Sequence, residues 1–84
     1  MDKWTVFGKI SSSSYRKRIL LSLMDANKTP KEIAKDSSVK FSHVSNVLRQ
    51  LMRMKTIKCL TPDLKKGRIY SMTAFGKEIA RSLK

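Results

Sequence analysis

Ser42, Asn46, Arg49 and Arg53 recur at spacings of three and four residues, the interval that returns side chains to one helix face. On a wheel of about 100° per residue with Phe41 at zero, they fall between about 80° and 140°. Val44, Val47, Leu48 and Leu51 fall nearly opposite, between about 240° and 340°. Ser45 and Gln50 flank the polar face, and His43 stands near its edge at about 200°. No carboxylate interrupts this face. Asn and Gln carry a donor and an acceptor that match adenine N6 and N7, and Arg carries paired donors that match guanine O6 and N7. Small hydroxyl residues beside the free N–H groups of a helix N-terminus suit phosphate oxygens. Hydrogen bonding to the edges and backbone of a nucleic acid is the chemistry these residues offer. A plain solvated helix face has a similar composition, but it usually carries acids as well as bases.

A second cluster has the same sign. Lys65, Lys66 and Arg68 surround Gly67, and Lys58 stands on the segment expected to face them. From Lys40 to Arg68 there are eight basic residues against Asp63 alone, more than half of the net charge in about a third of the chain. The whole chain of 84 residues carries 19 Lys plus Arg, six Asp plus Glu and a net charge of +13. Such an excess points to a polyanionic partner, a nucleic acid or an acidic membrane surface. Arg16, Lys17 and Arg18 form a further cluster, equally suited to phosphate contact or solubility.

Other chemistries lack parts. The carboxylates are scattered, and no nucleophile–base pair or glycine-rich phosphate loop is apparent, so no catalytic residue and no cofactor are expected. One cysteine, Cys59, and one histidine cannot build the usual zinc site or an internal disulfide, so no metal is expected. Cys59 reads as a small buried hydrophobe. The longest apolar run, Ile19-Leu20-Leu21, is far below the ~18 residues of a membrane span. Met1-Asp2-Lys3-Trp4 lacks the basic, then apolar, start of a signal peptide. A cytoplasmic, nucleoid-associated setting is expected.

These residues need elements to position them. Trp4, Phe7 and Ile10 suggest a short amphipathic helix before the run Ser11–Ser14. Ser13 or Ser14 then caps a helix to about Asp25, with Tyr15, Ile19, Leu20, Leu23 and Met24 at helical spacing. Thr29-Pro30-Lys31-Glu32 is a helix start, with Thr29 as cap, Pro30 at the first position and Glu32 three residues on. Asp36-Ser37-Ser38 ends that helix, and the next runs from Lys40 or Phe41 to Met54. After Lys55 the period changes to two: Ile57–Leu60 and Arg68–Met72 read as paired strands, joined by a loop in which Gly67 takes positive φ. Thr73 caps a last helix striped with Phe75, Ile79, Ala80 and Leu83. The expected fold is α+β, mostly α: a winged helix-turn-helix with a three-helix core, a two-stranded wing and a C-terminal helix. One domain spans 1–84, with the helix-turn-helix at about 29–54 and the wing at about 57–72.

Thr29-Pro-Lys-Glu-Ile-Ala-Lys followed by Phe41-Ser-His-Val-Ser-Asn-Val-Leu-Arg-Gln-Leu resembles the helix-turn-helix of ArsR/MarR-like winged-helix regulators. Lys66-Gly-Arg-Ile-Tyr-Ser-Met-Thr-Ala-Phe-Gly-Lys is similar to the second wing strand and following helix of small archaeal members, and Ile10–Arg18 to their first helix. The resemblance implies sequence-specific binding of double-stranded DNA, usually by a homodimer. Lys40 departs from it, standing where a capping Ser is common, and the Cys/His clusters of metal-sensing members are absent.

The combined expectation is a DNA-binding transcription regulator, with the 41–54 helix in the major groove. Ser42, His43, Ser45, Asn46, Arg49, Gln50 and Arg53 lie on or beside its DNA-facing surface. Lys40, Lys65, Lys66 and Arg68 hold phosphates, the last three from the wing on the backbone or minor groove. Two other readings share the composition: a non-sequence-specific chromatin or architectural binder, and a winged-helix protein-interaction module of the transcription machinery.

Overall fold

The structure, a computed structural model, describes residues 1–83. Asp2 starts the first helix: its carboxylate accepts from the Thr5 N–H at 2.8 Å and caps α1 (Lys3–Ser11). That bond holds the Asp2 carboxyl below its ordinary range. Helix α1 buries Val6 and Ile10, whereas Trp4 is 76% exposed and Phe7 half-buried. The expected stripe Trp4–Phe7–Ile10 is therefore corrected. A three-residue step falls about 60° short of a turn, while Val6 and Ile10, four apart, share one line along the helix.

Ser13 caps α2 (Ser14–Ser22), its hydroxyl accepting from the Arg16 N–H. The helix stops three residues before the expected Asp25. Leu23 and Met24 close it with tight bonds to the Leu20 and Leu21 carbonyls, and the Lys28 ammonium takes the Ser22 carbonyl. The Lys28 side chain is buried and also bridges Asp25 at 3.0 Å and Asp36 at 2.9 Å. The hydrogen bond with Asp36, above all, raises the Lys28 pKa, and Lys28 in turn lowers that of Asp25. One lysine thus ties the end of α2, the following turn and α3 (Pro30–Ser37).

Helix α3 begins in the expected capping box, with Thr29 Oγ1 accepting from the Glu32 N–H and Glu32 Oε1 accepting from the Thr29 N–H at 2.9 Å. This holds the Glu32 carboxyl below its usual value. It ends where Ser38 turns left-handed at φ 58°, and buried Val39 leads into α4 (Phe41–Arg53). Val44, Val47, Leu48 and Leu51 of α4 are all buried, as the wheel requires. They meet Ile10, Ile19, Leu20, Ile33 and Ile79 in one core.

Lys55 reverses the chain at φ 63°, and buried Thr56 places both its N–H and its hydroxyl on the Leu51 carbonyl. The wing follows: β1 (Ile57–Cys59) pairs antiparallel with β2 (Tyr70–Met72), Lys58 opposite Ser71. Arg68 and Ile69 fall outside β2 by one or two residues. Gly67 takes the expected positive φ, 65°. Cys59 is half-buried rather than enclosed, because a two-stranded wing covers only one of its faces. On its free edge, β2 exchanges hydrogen bonds between Tyr70 and Lys28, which anchors the wing to the turn before α3. Thr73 caps α5 (Ala74–Leu83), accepting from the Gly76 N–H, and α5 packs against α1 and α2.

Candidate nucleic-acid interface

Helix α4 presents the face that its spacing demands. Ser42, Ser45, Asn46, Arg49 and Arg53 are all exposed, with the buried stripe behind them. The short α3–α4 turn and the four buried aliphatic residues fix this orientation, since rotating α4 would bring polar side chains into the core. Lys40, exposed at the N-cap, makes no side-chain capping bond, so the first turn of α4 keeps donors available to an anion.

The wing tip stands across from this end of α4. A groove of about 570 Å³ runs between them, lined by Thr29–Lys31, Phe41 and Ser45 on one side and Lys65–Arg68 with Tyr70 on the other. It has four basic residues, Lys31, Lys65, Lys66 and Arg68, and no carboxylate in its lining. The loop beyond the strands is held by Leu60 N–H on the Ile69 carbonyl at 2.8 Å and Ile69 N–H on Thr61 Oγ1 at 2.9 Å. Arg68 donates its Nε–H to the Leu64 carbonyl within the loop.

The structure brings Lys65, Lys66 and Arg68 to the N-terminal half of α4, but it separates Gln50 and His43 from them. Both face α2. Gln50 is half-buried and accepts from Arg16 Nε at 2.8 Å, while Arg16 also donates to the Lys9 carbonyl at 2.9 Å. His43 is exposed, with its ring 5.3 Å from that of Tyr15. Arg53 lies near the same flank, beside Lys9, Arg16 and Gln50. Arg16 thus joins α1, α2 and α4, an outcome that the charge cluster of residues 16–18 could not single out. Sequence reasoning also missed Lys31 and Phe41 at the groove. Lys31 was absorbed into a capping signal, and Phe41 marks the boundary between the apolar and polar sectors of the wheel.

Electrostatics sharpen the pattern. Among the described residues, both salt bridges are made by Lys28. The exposed cations of α4 and the wing therefore carry unneutralised charge, which focuses a field on the groove.

No protein-family model matches the sequence, and no curated protein matches it. The fold is similar to that of a solved MarR family transcription regulator, with a TM-score of 0.67 and 19% sequence identity. The match covers 94% of this chain and 58% of that one, so this chain spans somewhat over half of that regulator's length. Five helices and a two-stranded antiparallel hairpin, superposed on that protein, define a winged helix-turn-helix. Helices α3 and α4 form the helix-turn-helix, and β1 and β2 form the wing.

Proposed function

We propose that this chain is a sequence-specific, double-stranded-DNA-binding transcription regulator. Helix α4 enters the major groove, Ser42, Ser45, Asn46 and Arg49 reach base edges, and Lys65, Lys66 and Arg68 hold the backbone or the adjoining minor groove. Lys31 joins the phosphate-holding set. The observation that carries this reading is the acid-free, exposed face of α4 beside an acid-free basic groove. Its likeness to a MarR family transcription regulator supports the same partner.

A homodimer fits this role, because two protomers would offer two copies of α4 to successive major grooves, about 34 Å apart. Exposed Trp4 and half-buried Phe7 on α1, which packs on α5, are apolar surface available to a second protomer. The net charge of +13 favours one rival, an architectural binder without sequence preference. Selection of bound fragments from a random duplex pool separates the two. A recurrent motif, protected as a discrete footprint, is expected for the regulator; uniform protection means an architectural protein. Competition by a folded RNA of equal charge tests whether duplex DNA is the preferred polyanion.

A further inference from the structure

We propose that Phe41 reads thymine, through apolar contact with its 5-methyl group; this rests on the sequence-specific DNA reading above. Phe41 is the first residue of α4, and 58% of its surface is exposed. Every other apolar residue of α4 is buried or half-buried, so Phe41 alone is left without a place in the core. It is also at a particular place. It shares the groove with Ser45, one turn on, and faces a rim formed by Lys65, Lys66 and Arg68.

The rim determines what comes past the ring. Its three cations, with Lys31 across the groove and no carboxylate in the lining, suit a phosphate strand, and a strand seated on them carries its bases toward the N-terminal turn of α4. Most features on the major-groove edges are hydrogen-bond donors or acceptors, which a phenyl ring cannot satisfy. The apolar exception is the thymine methyl group. Phe41 therefore adds an apolar reading to the hydrogen-bonding readings of Asn46 and Arg49. A thymine is expected in the preferred site beside the bases read by the first turns of α4.

The test removes that methyl group. After a preferred duplex is selected from a random pool, each dT in it is replaced in turn by dU. Dissociation constants are measured for the wild type, Phe41→Ala and Phe41→Gln at one salt concentration. One dT→dU replacement is expected to weaken the wild type about four-fold, the equivalent of one buried methyl group. Neither variant should sense that replacement; Phe41→Gln keeps the bulk of the position, so the result does not hang on one variant's folding. The assignment is overturned if no dU replacement weakens the wild type, or if both variants lose the same factor as the wild type. In those cases a preferred duplex still exists and the sequence-specific reading survives. If selection returns no preferred duplex, that reading fails and the Phe41 assignment fails with it.

Discussion

Replacing Gly76 by alanine sets helix propensity against packing, and the structure decides the sign. Gly76 lies in the first turn of α5, where alanine would favour the helix by about 1 kcal/mol. A Cβ at this position, however, would stand 2.0 Å from the Thr56 carbonyl oxygen and 2.9 Å from Met72 Cγ. An ordinary carbon–oxygen contact needs more than 3 Å, so α5 or the Thr56 peptide must move by about 1 Å. The peptide is pinned, because the Thr56 carbonyl accepts from the Thr73 N–H at 3.0 Å. Helix α5 is pinned too, through Thr73 Oγ1, which accepts from the Gly76 N–H and donates to the Lys55 carbonyl at 2.7 Å. Overpacking of this kind costs about 1–3 kcal/mol, and each strained hydrogen bond adds about 1 kcal/mol. The net expectation is destabilisation by about 2–4 kcal/mol, a fall in melting temperature of about 10–25 °C for a chain of this size. Urea unfolding followed by circular dichroism measures it. Gly8→Ala is the internal control: nothing lies within 4 Å of its Cβ position, so it should stabilise by about 0.5–1 kcal/mol. A Gly76→Ala variant as stable as the wild type would refute the close approach of α5 to the base of the wing.

In the interface, Arg49→Ala and Asn46→Ala should each cost about 1–3 kcal/mol on the selected duplex and relax its discrimination, whereas Lys65→Ala and Lys66→Ala should weaken all duplexes alike and reduce the salt slope by about one unit each. Salt titrations on selected and scrambled duplexes separate the two classes, and equal losses on both duplexes for Arg49→Ala would remove α4 as a base reader. Lys28→Met should cost about 1–2 kcal/mol at pH 7 through the lost charge-assisted hydrogen bonds. The Lys28 pKa is raised above its ordinary 10.5, so its contribution is complete below that pH and is lost as the pH rises through the raised value. The difference between wild type and Lys28→Met should therefore hold from pH 5 to about pH 10 and shrink above it; denaturant unfolding at a series of pH values checks this. Light scattering at tens of micromolar should give twice the chain mass, and a persistent monomer would confine dimerisation to DNA.

The helix boundaries that carry strong local chemistry were readable from the sequence. Thr29-Pro30-Lys31-Glu32 encodes a complete capping box in four residues, and the four aliphatic residues of α4 leave one orientation that buries them. Where local signals were weak, tertiary contacts decided. Helix α2 stops early because of a lysine six residues beyond it, and no periodicity encodes that reach. The burial of Lys28 depends on Asp36 and on a pairing with Tyr70 more than forty residues away. In α1, two possible apolar lines overlap, and only the positions of α2 and α5 select Val6 with Ile10. The candidate site divides in the same way. The exposed face of α4 follows from its own period, whereas the engagement of Gln50 by Arg16 follows from how α2 crosses α4.

That division bears on how the +13 charge acts. A uniformly basic surface would attract any polyanion and align none. Here the cations differ in how they are held. Lys28 and Arg16 are spent on holding helices, through the Ser22 carbonyl and through Gln50 and the Lys9 carbonyl. Arg68 donates to the Leu64 carbonyl within the wing loop. Lys65 and Lys66 stand beyond strands whose distance from α4 is set by the pairing of β2 with both β1 and Lys28. Backbone contacts carry no sequence information of their own, but under the proposed function a wing placed in this way would fix the register in which Asn46 and Arg49 meet base edges. On that proposal, sequence preference would depend on where the wing stands relative to α4 as well as on the residues that touch the bases.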